Sequence, residues 1–268
     1  MEKFVVMLRV KDGIAFVSEW LSCYEKLADE IVVLDNGSTD GTLEALSCHP
    51  KVVVVVRTEG FNEGRDKNLL YAHVRKRNPT WCLWVDVDEV FEKEFTRREL
   101  QSLMRSRIAT RFAFRRFHFI DRTHFAGSWY RLNYSSGHDR IMWRESPTGY
   151  FQDIILDSPN IKGIRGLKIN TTYGLKHLGY IDKHIVDRKA ELYCRYIAPE
   201  KEAALDKMYM RNEYPIRWRD NRRHPKVVLL NILLDLLHFK NLSIRVKDKT
   251  VSVLRSRLQF VNKSPERA

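Results

Sequence analysis

Apolar residues in the first hundred positions gather into short runs separated by polar, turn-rich stretches. Residues 4–10, 30–35, 51–57 and 81–85 are near-continuous aliphatic, β-branched or aromatic runs of the length expected for buried strands. Between them the period changes. Residues 14–28 repeat apolar positions at helical spacing, with Phe16, Trp20 and Tyr24 on one face, and a second helix is expected from about Arg65 to Arg77. Asn36-Gly37 supplies residues tolerant of positive φ, and Ser38 to Thr42 supplies caps for a short helix through residues 43–47. A β-α-β-α-β-α-β order with short connections and continuous apolar strands predicts a parallel α/β sheet covered by helices on both faces.

The fourth run, Trp81-Cys82-Leu83-Trp84-Val85, ends in Asp86, Asp88 and Glu89. Carboxylates crowded at a strand's C-terminal end repel one another unless a cation or a set of donors compensates them. Asp86 and Asp88 point to opposite sides of an ideal strand, so both serve one ion only if the chain bends there. The loop after the second strand also lies at a C-terminal strand end, the edge where open α/β sheets bind ligands, so the two loops are expected to face one cleft.

Composition narrows the class. A chain of 268 residues with 44% hydrophobic content buries a sizeable core as one large α/β domain, or one domain with a smaller appendage. The longest apolar stretch, 227–239, is interrupted by Asn231 and Asp235 and is shorter than a spanning helix. Cys23, Cys48, Cys82 and Cys194 form no Cys-x-x-Cys pair, and the chain enters a strand almost at Met1, so a cytoplasmic protein is expected, with peripheral contact on the inner face of a membrane as a further option. The net charge of +13 is uneven: residues 1–100 hold 14 Lys and Arg against 18 Asp and Glu, and the remaining 168 hold 33 against 16. Such a basic excess attracts nucleic-acid backbones, anionic membranes and phosphorylated substrates alike.

Three stretches in order carry a resemblance: Glu30-Ile31-Val32-Val33-Leu34-Asp35-Asn36-Gly37-Ser38-Thr39-Asp40-Gly41-Thr42, then Gly64-Arg65-Asp66-Lys67-Asn68, then Trp84-Val85-Asp86-Val87-Asp88-Glu89. Together they resemble the nucleotide-sugar domain of family 2 glycosyltransferases of the GT-A fold, over residues 1–190 or so. The resemblance implies a Rossmann-like, mostly parallel sheet: a GT-A domain over 1–195, its donor half 1–100 and its acceptor half 101–195, and a basic helical extension over 196–268. It implies a nucleoside-diphosphate sugar as donor, UDP- or GDP-linked, and a glycan, glycolipid or glycoprotein as acceptor. Val10, Asp35, Arg65 and Asp86 are the expected donor contacts, with Asp35 at the nucleoside and Arg65 near the base. Asp86, Asp88 and His177 are the expected ligands of Mn²⁺ or Mg²⁺, His177 from the segment Leu175-Lys176-His177-Leu178-Gly179-Tyr180. His118, His124, His138 and His184 have no such context. The family often has Lys-Asn-Glu where this chain has Lys11-Asp12-Gly13.

Chemistry agrees with these roles. Cleaving a sugar from a nucleoside diphosphate builds negative charge on the leaving phosphate, which a hard cation on oxygen ligands stabilises. An inverting transfer also needs a carboxylate to take the acceptor's proton. Asp153, in the apolar segment Tyr150-Phe151-Gln152-Asp153-Ile154-Ile155-Leu156, is the expected base, with Asp121, Asp139 and Asp157 as rivals. Aromatic and basic residues interleave from Phe112 to Arg144, most of them expected in the core and some along an acceptor cleft. Residues 226–240 read as an amphipathic helix, packed on its own domain or lying on an anionic membrane. Three other classes compete. A haloacid dehalogenase-like phosphatase would need a second metal motif downstream, a nucleotidyltransferase a Gly-rich loop after the first strand, and a nucleic-acid-binding protein, of which no specific example is expected, leaves the carboxylates unexplained.

Overall fold

The computed structural model describes residues 2–127, 138–156, 158, 160–194 and 214–217. The N-terminal half alternates β1 (Phe4–Val10), α1 (Ile14–Leu27), β2 (Glu30–Asp35), α2 (Thr42–Ser47), β3 (Val52–Arg57), α3 (Glu63–Arg75) and β4 (Trp81–Val85), the order expected from the apolar pattern. Then come β5 (Glu89–Phe91), α4 (Arg97–Met104), β6 (Ala109–His118), β7 (His124–Gly127), β8 (His138–Arg144), β9 (Leu167–His177), α5 (Lys183–Cys194) and β10 (Tyr214–Arg217). Eight strands form one sheet in the order β3-β2-β1-β4-β8-β6-β9-β5. The first four run parallel, β8 is antiparallel to both neighbours, β6 and β9 are parallel, and β5 closes the edge antiparallel to β9. This mixed α/β sheet with flanking helices bears out the expected fold.

Strand parity divides the core. Phe4, Val6 and Leu8 of β1, Ile31 and Val33 of β2, and Trp81, Leu83 and Val85 of β4 pack in one cluster with Val17, Trp20, Tyr24 and Leu27 of α1. Their neighbours Val5, Met7, Val32, Leu34, Cys82 and Trp84 pack on the other face with Leu70, Tyr71 and Val74 of α3. Alternate side chains of a strand point to opposite faces, so a fully apolar strand needs a helix on each side. Each fully buried side chain of the size of Trp20 or Leu27 contributes about 1.5–3 kcal/mol relative to exposure. The aromatic stretch is mostly core too: Phe112 and Phe114 join the first cluster, Trp143 the second, and Phe117, Phe119 and Phe125 a third with Phe16 and Leu178.

The sheet returns on itself at the acidic turn. Asp86 to Asp88 connect β4 to β5, yet β5 lies four positions from β4 across the sheet, paired with β9 so that Glu89 is opposite His177. So short a connection forces the distal edge of a curled sheet back beside the end of β4. Two expectations change. Residues 214–217, assigned to a helical extension, are a strand paired antiparallel with β7, because alternating residues there complete the β7 edge. The helix expected over 226–240 lies outside the described residues, as do Trp129, Tyr130, Arg131, Tyr134, Asp157 and Arg195. No helix among the described residues is long and apolar enough to cross a membrane.

Candidate active site

The loop after β2 does two jobs. Asp35, buried at 0% exposure, accepts hydrogen bonds from the backbone N–H groups of Gly37 at 3.0 Å and Ser38 at 3.1 and 3.2 Å. Its carboxylate, which also lies 3.7 Å from Arg57 Nε, shapes the turn that follows β2. The hydroxyls that follow reach across to the loop after β1. The Ser38 hydroxyl accepts from Asp12 N–H (2.9 Å), the Thr42 hydroxyl from Gly13 N–H (2.8 Å), and the Asp40 carboxylate from Ile14 N–H (3.0 Å). These residues, expected to cap α2, cap the start of α1 as well, because α1 begins beside this loop at the same sheet edge: Asp40 serves both helices, accepting also from Thr42 N–H at 3.1 Å. Burial alone would raise the Asp40 pKa, but its bonds from the Thr42 hydroxyl and the Ile14 and Thr42 N–H groups outweigh that and hold it below the usual carboxylate range. Val10 is likewise buried, with its carbonyl accepting from Asn36 N–H at 2.9 Å, and it ends β1 beside this loop.

Gly13 explains the departure from Lys-Asn-Glu in the first loop. A Cβ built on it would lie 2.8 Å from Val87 Cγ1, so the loop backs directly onto the middle residue of Asp86-Val87-Asp88. A glutamate there would collide with the acidic turn.

That turn is held by arginines. Glu89, fully buried, accepts from Arg140 Nε at 2.6 Å and Arg116 Nη1 at 3.2 Å, and also from Asp86 N–H at 3.1 Å. Arg140 Nη2 pairs with the Asp86 carboxylate as well, which keeps 36% side-chain exposure. One guanidinium thus balances two of the three carboxylates, the compensation that their crowding requires. Arg140 and Lys67 both lie over the Trp84 ring, 4.2 and 3.7 Å from its centroid. Desolvation lowers the Lys67 pKa, and Lys67 Nζ donates to the Ser158 carbonyl at 2.7 Å.

Asp88 takes the remaining direction. Its Oδ2 lies 3.4 Å from His177 Nε2, both side chains are buried, and Leu178 N–H donates to the Asp88 carbonyl at 2.7 Å. The structure thus brings together two of the three expected metal ligands, Asp88 and His177, while Asp86 pairs with Arg140. His177 Nδ1 lies 2.7 Å from His118 Nδ1, the register partner of His177 across β6 and β9. Desolvation and the charges of His177 and Arg116 push the His118 pKa well down. Among the described residues no three His, Cys, Asp or Glu side chains form a cage for a metal by themselves. A carboxylate and an imidazole facing each other nevertheless suit a Mn²⁺ or Mg²⁺ ion that keeps waters and takes phosphate oxygens for the rest of its shell.

Asp88 also lines an open cleft of about 310 Å³, bounded by Lys11 and Gly13 of the first loop and by Ile185 and Arg188 of α5. Lys11 and Arg188 are exposed cations of that rim. Arg65 sits on the first turn of α3, half-exposed, donating to Asp66 Oδ1 at 2.9 and 2.7 Å and to the carbonyls of Glu59 and Gly60. Asp66 is fully buried and also accepts from Arg9 Nε (3.1 Å) and Asn36 Nδ2 (2.8 Å), so it ties β1, the β2 loop and α3 together. Reading the sequence missed Asp66, Arg140 and His118; the one local signal was a charged residue on the inner face of α3, at Asp66.

Asp153 stands apart from its expected surroundings. It is exposed rather than set among apolar groups, because residues 152–155 form an irregular strap over the N-terminus of α3 with Phe151 alone turned inward. Glu63 N–H donates to the Ile155 carbonyl (3.0 Å) and Gly64 N–H to that of Ile154 (2.9 Å), and the Phe151 ring lies 6.4 Å from that of Trp84. Gly64 is what lets the strap approach: a Cβ there would lie 2.2 Å from the Gln152 carbonyl oxygen and 2.5 Å from Ile154 N. Gly64→Ala is expected to destabilise the protein by about 1–3 kcal/mol, since backbone rather than a pliant side chain must yield. A melting temperature equal to that of the native protein would refute the close approach. Asp121 is engaged by Thr123 and His124 N–H groups, which hold its carboxyl well below the usual range.

Among solved structures the chain is similar to residues 1–349 of TarS from S. aureus, at 14% identity over 92% of this chain and 77% of that one, with a TM-score of 0.45. It is similar to the mannosyltransferase PcManGT from Pyrobaculum calidifontis, crystallised with GDP-Man and Mn²⁺, at 13% identity over 96% and 84% with a TM-score of 0.45. A third is glucosyl-3-phosphoglycerate synthase from Mycobacterium tuberculosis with Mn²⁺, UDP and glucosyl-3-phosphoglycerate, at 12% identity over 85% and 92% with a TM-score of 0.42. No curated protein matches. The family model of glycosyl transferase family 2 matches residues 14–160, more than half of the chain and the whole span from the start of α1 through the acidic turn to Asp153. The chain belongs to glycosyl transferase family 2 and is a glycosyltransferase.

Proposed function

We propose that the protein moves a sugar from a UDP- or GDP-linked donor to the hydroxyl of a glycan, glycolipid or glycoprotein, with inversion at the anomeric carbon and dependence on Mn²⁺ or Mg²⁺. The observation that carries this reading is Asp88, which faces His177 at 3.4 Å and itself lines a cleft whose rim also holds Lys11 and Arg188 beside Asp12, Asp40 and Glu191. Asp88 and His177 are the residues that hold the cation, with Asp86 near it on Arg140. When bound, the cation supplies Lewis-acid stabilisation of the charge that grows on the departing diphosphate. Arg188 and Lys11 add charge-assisted hydrogen bonds to phosphate oxygens. Arg65, and the loop shaped by Asp35 and Val10, bound the nucleoside end. Asp153, which has no described side-chain partner, takes the proton of the acceptor hydroxyl as its oxygen bonds to the anomeric carbon, and the bond from that carbon to the diphosphate oxygen breaks on the opposite face. Residues 1–195 form the catalytic domain on this reading. The basic excess beyond residue 100 is suited to acceptors displayed at an anionic membrane surface.

A panel of UDP- and GDP-sugars, each with Mn²⁺ and with EDTA, tests the reading by thermal stabilisation and by release of nucleoside diphosphate. Stabilisation and turnover by one donor class, both lost in EDTA, are expected; turnover undiminished in EDTA would overturn the metal. Arg188→Ala should weaken nucleoside-diphosphate binding about tenfold or more, the scale of a lost charge-assisted hydrogen bond of about 1.5–3 kcal/mol. Calorimetric titration showing native affinity would exclude α5 from the phosphate site.

A further inference from the structure

We propose that His118 is a positioning residue that sets the tautomer of His177, leaving the His177 Nε2 lone pair free for the cation. This inference rests on the reading that Asp88 and His177 hold a divalent metal. Two imidazole nitrogens 2.7 Å apart, His177 Nδ1 and His118 Nδ1, share a proton: one ring donates N–H and the other accepts. His177 Nε2 faces Asp88 Oδ2 at 3.4 Å. With His118 donating, His177 carries its proton on Nε2 and gives it to Asp88, a state that binds no metal through the ring. With His118 accepting, His177 is protonated at Nδ1 and presents its Nε2 lone pair to the space beside the carboxylate. A backbone carbonyl in the place of His118 would fix one tautomer only. An imidazole can both donate and accept at Nδ1, so His118 permits the exchange between a closed Asp88–His177 pair and a ligating one.

The surroundings hold the two rings for this task. His118 and His177 are register partners on neighbouring parallel strands, and Phe119 N–H donates to the His177 carbonyl at 2.9 Å, which fixes both backbones. The Tyr180 ring meets both imidazoles edge-on, 5.4 Å from His118 and 5.0 Å from His177, and limits their rotation. Arg116, on the same strand as His118, donates to Glu89 at 3.2 Å.

The test uses the full chain and Mn²⁺ alone as the probe, with free Mn²⁺ followed by electron paramagnetic resonance. His118→Phe keeps the ring volume and removes the acceptor, and it should weaken Mn²⁺ binding about 10–100-fold, the scale for losing a partner of a metal-bound histidine. His118→Asn should bind close to native, because its amide oxygen can still accept from His177 Nδ1. Nitrogen-15 spectra of the native protein loaded with diamagnetic Zn²⁺ should show His177 protonated at Nδ1, a readout that a purely packing role for His118 would not fix. Native Mn²⁺ affinity in His118→Phe alongside a loss in His177→Ala would overturn this inference and leave the metal site standing. Native affinity in His177→Ala would overturn both. Should His118→Phe fail to fold, the decision passes to the Asn variant and the native spectra: a loss of Mn²⁺ affinity in His118→Asn, or His177 protonated at Nε2 in the loaded protein, overturns it.

Discussion

Asp88→Asn is expected to lower sugar transfer by about 10³-fold or more while the protein melts where the native one does. The carboxylate is nearly buried, lies 3.4 Å from His177 Nε2, and belongs to a turn held by other groups: Glu89 on Arg140 and Arg116, and Leu178 N–H on the Asp88 carbonyl. Asn keeps the shape and can still meet His177, so folding loses little. What it removes is the charge that balances a divalent cation, whose stabilisation of the leaving diphosphate amounts to several kcal/mol, and each 1.36 kcal/mol on the barrier is about tenfold in rate. Turnover, melting temperature and Mn²⁺ affinity on one preparation decide it. Loss of Mn²⁺ binding together with loss of turnover supports the assignment; a native rate would remove Asp88 from the chemistry.

Asp153→Asn should reduce transfer about 10²-fold or more, the usual scale for losing a positioned general base. Because the residue is exposed and touches no described side chain, the substitution should leave the melting temperature, donor affinity and metal affinity near native. A structural role predicts the reverse, a lowered melting temperature and native activity in the folded fraction. Asp121→Asn is the comparison: its carboxylate is taken up by Thr123 and His124 N–H groups and held well below the usual range, which makes it a weak proton acceptor. A native rate in Asp153→Asn would transfer the role to another carboxylate, with Asp139 the next to replace.

The two substitutions probe groups that the fold places by different routes. Asp88 is delivered by a bend between two strands, Asp153 by a strap laid over a helix start. Gly13 and Gly64 make both approaches possible, one beside Val87 and the other beneath Gln152 and Ile154. Small residues at these points let backbone come within contact distance where any side chain would hold it off.

Local pattern alone determined the first half of the molecule. Apolar runs of strand length and a helical repeat of Phe16, Trp20 and Tyr24 each answer to burial on a near face, so β1 to β4 and α1 to α3 follow from residues close in sequence. The acidic end of β4 was legible for the same reason, because charge at the end of an apolar strand is costly wherever it folds. Tertiary structure decided what those charges meet. Arg140 reaches Asp86 and Glu89 only because β8 pairs antiparallel with β4. His177 meets Asp88, and His118 meets His177, only because the sheet curls until β5 and β9 lie beside the end of β4. Those pairings join residues far apart in the chain through backbone hydrogen bonds that any residue but proline can make, so no local pattern records them. The same is true of Asp35, whose carboxylate becomes a buried turn cap once Gly37 and Ser38 fold back on it.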